Sequence, residues 1–210
     1  IPYWPLFLLF GALAIGAAYV YLRYATPIYE AAATLIIKDE KRGSEDSKLM
    51  ESLNLIASKK VVENEIEVLQ SRSLMEQVVK KLNLYAPIYE QGKVKASDAY
   101  MISPVIVVAQ NPDSLDDADK IDFTYNKADK TVTLNNKGKY PLNQFLNTPF
   151  GVLKFAPNKN YSESRASDKQ LYFSIANPKI VASQLLGSLK VASSRQSAIV
   201  DLSFRDPVRQ

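Results

Sequence analysis

PYWPLFLLFGALAIGAAYVYLRY, residues 2–24, decides how this chain is read. No residue from Ile1 to Leu22 carries a charge, and Arg23 is the first that does at neutral pH. About 20 helical residues, each rising about 1.5 Å, cross a hydrocarbon core about 30 Å thick. Tyr3 and Trp4 stand at one end and Tyr19, Tyr21 and Tyr24 at the other, where amphipathic rings meet lipid headgroups. Pro2 and Pro5 fall in the first turn, where a missing N–H is harmless, and Thr26-Pro27 ends the helix. A buried core helix is usually shorter and carries polar residues. A cleaved signal peptide would break near Ala12-Leu13-Ala14, yet the apolar character runs on past it. A retained membrane span over residues 1–25 is therefore expected. Gly11, Ala12, Gly16 and Ala18 make its middle small. The spacings Ala12/Gly16 and Ala14/Ala18 suit close helix approach, although Ala and Gly are common in any membrane helix.

Residues 26–210 have the texture of one folded, water-exposed domain. With 23% charged and 47% hydrophobic residues, the chain has the composition of an ordinary globular protein rather than a disordered one. A net charge of +4 with no dense Lys/Arg cluster argues against a nucleic-acid partner. There is no cysteine and no histidine, which removes disulfides, thiolate or imidazole metal sites, and the commonest general acid/base group.

After Pro27 the periodicity switches from helical to alternating. Tyr29, Ala31, Ala33, Leu35 and Ile37 alternate with Glu30 to Lys38, which predicts a strand buried mainly on one face. Asp39 to Lys48 reads as an exposed loop, and Leu49 to Ile56 as a short amphipathic turn. Val61 to Gln70 predicts a helix. Ser73, with Glu76 three residues on, predicts the capped start of another, with Leu74, Met75, Val78, Val79 and Leu82 as its apolar stripe. Strands are expected at Pro104 to Ala109 and at Leu171 to Ile175, and a hairpin from Ile121 to Leu134. Thr148-Pro149-Phe150-Gly151 reads as a turn feeding a further strand. Asn177-Pro178 opens a last helix, and Ala198 to Phe204 forms a last strand. This order predicts an α+β class: a single transmembrane helix followed by a mixed α/β domain, with helices layered on a sheet.

No phosphate-cradling loop, GxSxG, HExxH or dinucleotide fingerprint occurs, so no catalytic residue, cofactor site or metal site is assigned. The run NPDSLDDADK places Asp113, Asp116, Asp117 and Asp119 close together. It lacks the central glycine and terminal glutamate of a calcium loop, and Asp is common in turns, so a solvated turn is expected. Tyr85, Tyr89, Tyr100, Tyr140 and Tyr161, taken as exposed, suit either stacking on sugar rings or ordinary strand-rim packing.

With these elements in order, the chain resembles the chain-length determinant, or polysaccharide co-polymerase, family. YVYLRYATPIYEAAATLIIKDE is similar to the family's passage from membrane helix to first periplasmic strand, with Pro27, Tyr29, Glu30 and Ala31 on its P-x-Y-E/K-A positions. NEIEVLQSRSLMEQVVKKLNL resembles its helix pair, with Asn64, Glu65, Leu69 and Ser73 as motif positions, and TPFGVLKF resembles a strand-turn element. The resemblance implies an inner-membrane protein with a periplasmic base domain. Such proteins form rings, often octamers, that act non-catalytically on the length or export of capsule or exopolysaccharide. Implied partners are copies of itself, a polysaccharide polymerase or outer-membrane export machinery, and the lipid bilayer.

The IIKDEKRG and NEIEVLQSRS runs look closest to the branch with a cytoplasmic tyrosine autokinase. ATP and Mg would belong only to such a kinase domain, and no cofactor is expected in this segment. The base domain is expected to be incomplete on its C-terminal side, where the family continues into a long helical hairpin and a second span. A periplasmic adaptor of a secretion or efflux system is the competing reading.

Overall fold

The computed structural model describes residues 3–25, 28–37, 62–92, 96–165, 169–193 and 199–207. Helix α1 runs Trp4–Tyr24 with Pro5 at its start, and none of its residues is buried against the rest of the chain. An 18-residue window of this 21-residue helix has a mean hydropathy of 2.0, which makes it a candidate membrane span. Only three residues separate its end from strand β1 (Ile28–Ile36), so the strand starts within about 15 Å of the helix terminus.

Residues 62–69 form helix α2, followed by α3 (Arg72–Lys81) and the short strands β2 (Ile88–Glu90) and β3 (Ser97–Asp98). Then come β4 (Val105–Ala109), β5 (Ala118–Asn126), β6 (Thr131–Leu134), β7 (Lys137–Pro141), β8 (Leu146–Thr148), β9 (Gly151–Pro157) and β10 (Leu171–Ile175). Helix α4 (Pro178–Ser188) leads into β11 (Leu189–Ser193), and β12 (Ile199–Pro207) follows. The class is mixed α/β, as expected, but the strands divide among three antiparallel sheets rather than one. Their orders are β1-β12-β11, β3-β2-β10-β5-β6-β7 and β4-β9-β8.

The first sheet joins the two ends of the described domain. β1 pairs with β12 over nine positions, from Ile28 opposite Pro207 to Ile36 opposite Ile199. Directly opposed residues share a face. One face therefore carries Ala31, Ala33 and Leu35 against Phe204, Leu202 and Val200. The other is polar in its middle, with Glu30 paired to Arg205 at 2.9 Å and the Thr34 hydroxyl donating to Asp201 at 2.9 Å, and apolar at its ends, with Ile28 opposite Pro207 and Ile36 opposite Ile199. Alternation is thus present in β1, but the expected one-sided burial is not: all nine residues are exposed. β1 is an edge strand, and α4 reaches β12 instead, where Val200 is fully buried.

α3 shows a second departure from expectation. Its cap is Ser71, not Ser73: the chain breaks at Gln70-Ser71, and the extended Ser71 accepts a hydrogen bond on Oγ from the Leu74 N–H at 3.2 Å. Ser73 lies exposed inside the first turn, and Glu76 pairs with Lys80 at 2.8 Å instead of closing a capping box. Val79 is the fully buried member of the apolar stripe, whereas Leu82 at the helix end is largely exposed. The helix stops in a left-handed turn at Asn83 (φ +55), with Leu84 N–H donating to Val79 O at 2.9 Å and Asn83 N–H to Lys80 O at 3.4 Å. This bonding pattern satisfies the last carbonyls.

Tyr85 follows at once and is the joint of the domain. Expected to be exposed, it is completely buried. Its hydroxyl donates to Asn83 Oδ1 at 3.0 Å and accepts from the Ala109 N–H of β4 at 2.8 Å. Its carbonyl accepts from the Ala176 N–H, between β10 and α4, at 3.0 Å. One residue so links the end of α3 to two sheets. An aromatic row completes the core across the sheets, with ring centroids of Tyr140–Phe155, Phe155–Phe173 and Phe173–Phe123 at 6.1, 6.3 and 5.9 Å.

The remaining expectations divide plainly. The hairpin pairs Phe123 with Leu134 and Asn126 with Thr131, the Thr148–Gly151 turn joins β8 to β9, and Asn177 caps α4 by accepting from the Lys179 N–H at 3.0 Å. Gly151 (φ +116) is required there, since a Cβ would lie 2.6 Å from Leu115. Thr26-Pro27, Asp39 to Lys48, Leu49 to Ile56, Val61 and Ala198 lie outside the described residues.

Replacing Tyr85 with Phe should remove the acceptor of the buried Ala109 N–H and cost about 1–3 kcal/mol. Burial pushes the Tyr85 phenol up from its ordinary value, partly offset by the Ala109 hydrogen bond. The folded chain therefore holds a proton that the unfolded chain releases near pH ~10. The contribution is fully present below that pH and is lost as pH rises through the raised folded value. Urea unfolding at pH 8 and above pH 10 should show an alkaline loss of stability in the parent that is smaller in Tyr85→Phe.

Candidate functional site

The residues singled out in the sequence do not converge on one pocket. Gly11, Ala12, Gly16 and Ala18 lie on the exposed surface of α1, where a Cβ added to either glycine would meet nothing within 4 Å. Tyr29, Glu30 and Ala31 are on β1, the first and third on its apolar face and Glu30 in the ion pair with Arg205. Asn64 and Glu65 are exposed on α2, Leu69 is partly buried, and Pro27 falls outside the described residues. These positions build a candidate membrane span, a strand and a helix pair, and they offer no chemistry in common.

The acidic run is also dispersed. Asp113 sits in a short 3-10 turn whose Asn111 side chain accepts from the Asp113 N–H, and its carboxylate pairs with Lys80 of α3 at 2.7 Å. Asp119 lies on β5, beyond the loop that holds Asp116 and Asp117. Among the described residues no group of three acidic side chains gathers for a cation. The Lys80 ammonium is held above its usual range by hydrogen bonds to Asp113 and Glu76.

A concave feature lies where the large sheet meets the β4–β9 end of the third sheet. It is an open cleft of about 630 Å³, within the range of small-ligand sites. β5 and the start of β10 contribute Phe123, Thr124, Tyr125 and Leu171, while Ile102, Pro104 and Pro157 come from the segments bounding β4 and β9. Tyr161 enters from the loop after β9. That loop is pinned by Asn158, whose Nδ2 donates to Tyr100 O at 2.5 Å and Ser103 O at 2.9 Å. Ser103 is itself fully buried and donates to Val105 O at 2.6 Å. The cleft thus rests on a hydrogen-bonded frame.

Its charges are balanced. Lys127 pairs with Glu163 at 2.7 Å, and Lys169 pairs with Glu90 at 3.1 Å. The Glu163 carboxyl is lowered by the hydrogen bond from Lys127, and the Lys127 ammonium is raised by the same bond, with the phenols of Tyr161 and Tyr125 adding minor electrostatic contributions. Gln170 donates through Nε2 to Phe123 O and Leu171 O at 2.8 and 3.0 Å.

Of the five tyrosines considered from sequence, Tyr161 lines this cleft and Tyr100 hydrogen-bonds Asn160 beside it. Tyr85 is buried, Tyr140 packs on Phe155, and Tyr89 packs on Tyr172 at 5.5 Å. Sequence reasoning missed Tyr125, Lys127 and Gln170. The alternation of β5 signalled a buried and an open face, but not what stood opposite.

Across residues 3–82 the chain matches the Wzz family, described as chain length determinant protein. Over this stretch, 80 of its 210 residues, the chain is similar to the chain length determinant family. The similarity supports a chain-length role for a polysaccharide and a membrane association, with α1 as the candidate span. No curated protein matches the chain. The chain length determinant match covers α1, β1, α2 and α3, whereas β12 and every residue of the cleft lie beyond it.

Carboxyl NMR titration should place the Glu163 midpoint below that of an exposed, unpaired glutamate. Replacing Lys127 with Met should raise it back towards the ordinary range. An unshifted Glu163 in the parent would remove the ion pair from the cleft rim.

Proposed function

We propose that this chain is the membrane-anchored, non-catalytic base of an assembly that sets the length, or directs the export, of a bacterial surface polysaccharide such as capsule or exopolysaccharide. The observation that carries the reading is the chain length determinant match over an uncharged, span-length helix and the strand that continues from it. In this reading α1 holds the chain in the inner membrane and the mixed α/β domain stands in the periplasm, where the polymer grows. Copies of the chain form a ring, and α1's small central residues serve close helix approach. Working partners are the polysaccharide polymerase or the outer-membrane export machinery.

The physical contribution of the domain is rigidity close to the membrane. β1 leaves α1 after three residues and is locked over its whole length to β12. A polymer-length device needs a fixed separation between bilayer and binding surfaces, and a strand ladder keeps that separation better than a flexible tether.

Deletion of the gene in its own host should shift the modal length or the exported amount of the surface polysaccharide on gels, and the intact gene should restore it. Protease accessibility in spheroplasts should place residues 62–207 outside the cytoplasm. An unchanged polymer profile, or a domain protected on the cytoplasmic side, would contradict the proposal.

A further inference from the structure

We infer that the cleft between the large sheet and the β4–β9 end is a binding groove for a neutral stretch of glycan, recognised through sugar-ring stacking on Tyr125 and Tyr161. The inference rests on the proposed polysaccharide function and names the surface that touches the polymer.

Three observations select this ligand class. The first is charge. Both rim lysines already face carboxylates, Lys127 with Glu163 and Lys169 with Glu90, so the described lining residues of the groove carry no surplus positive charge for a phosphate or nucleotide. Sites for such ligands concentrate unmatched cations or helix N-termini, and the lining residues described for the cleft supply neither.

The second is the surface offered. Tyr125 and Tyr161 are partly buried and both line the cleft, so each presents part of its side chain to a ligand there. Ile102, Pro104 and Pro157 extend the apolar surface beside them. An aromatic face is electron-rich and attracts the weakly positive C–H groups on one side of a pyranose, while the apolar body sheds water on contact.

The third is the polar complement. Neither phenol is hydrogen-bonded to any described residue, and the same holds for the Thr124 hydroxyl. Gln170 Oε1 is likewise left over after its Nε2 donates to two backbone carbonyls. These groups supply donors and acceptors of the kind that sugar hydroxyls require. The groove is open, which suits a segment of a long chain lying across it. Repeated weak contacts around an assembly would then add by effective concentration.

The test uses the full chain in lipid nanodiscs and, as probe, length-fractionated oligosaccharides from partial hydrolysis of the host's own surface polysaccharide. Saturation-transfer NMR and calorimetry should show saturable binding. Tyr161→Ala and Tyr125→Ala should each weaken it about tenfold or more, with near-ultraviolet circular dichroism of the remaining aromatics unchanged. Lys179→Ala, on the exposed start of α4, should bind as the parent does. Inorganic phosphate should not compete.

Absence of binding by the parent, parent-like binding by both tyrosine variants, or displacement by phosphate would overturn the groove. Its failure is separable from that of the proposed function. Altered polymer length on deletion together with no fragment binding by the purified chain sinks the groove alone, while fragment binding with an unaltered deletion strain sinks the function and leaves the groove standing.

Discussion

The antiparallel pairing of β1 with β12 is the constraint on which the rest depends. β1 is the continuation of the candidate span, and its described contact with the domain is the nine-position ladder to β12. More than 160 residues separate the partners, as the Thr34–Asp201 hydrogen bond shows (separation 167). Closing so long a loop is entropically costly and must be offset by the domain folded between the two strands. The chain length determinant match ends at residue 82. The matched candidate span and strand are therefore completed by a strand outside the matched stretch.

The interior of the domain is organised by a buried hydroxyl rather than by apolar contact alone. Tyr85 closes the Asn83 turn after α3, caps the Ala109 N–H of β4 and, through its carbonyl, holds the Ala176 N–H before α4. Hydrophobic burial is non-directional, whereas these bonds define where the helix pair sits against two sheets. The aromatic row from Tyr140 to Phe123 then fills the space that the bonds have set. The cleft lies on the far ends of the same strands, so β5 and β10 serve the core through Ile121, Phe123 and Phe173 and the groove through Tyr125 and Leu171.

Local signals in the sequence are legible wherever local physics decides the outcome. The uncharged run of α1, the Asn177-Pro178 cap, the Phe123–Leu134 hairpin and the Thr148–Gly151 turn are all encoded within a few residues. The second hairpin, β6 to β7, carries an equally local signal: Asn135 and Asn136 take φ of +46 and +55, the conformation that a two-residue turn demands. Ser71 against Ser73 shows the limit of such signals, because both are acceptable caps and the break at Gln70 chooses between them. What could not be read was nonlocal. Nothing near Tyr85 distinguishes it from Tyr89 or Tyr100, and its burial is decided by Ala109, 24 residues away. The alternation of β1 promised a covered face, yet coverage depends on where α4 lands. The cleft likewise depends on segments from residue 102 to residue 171 meeting, which no single stretch announces.

The register of the anchor strand is open to direct measurement, because the chain contains no cysteine of its own. Paired cysteines at Ala32 and Ser203, directly opposed in the ladder, should cross-link rapidly in intact membranes under mild oxidation. A pair at Thr34 and Arg205, four positions out of register, should not. Equal cross-linking of both pairs, or none at Ala32/Ser203 in folded protein, would show that the membrane helix is not built into the domain through β12, and the rigid coupling of anchor to domain would fall with it.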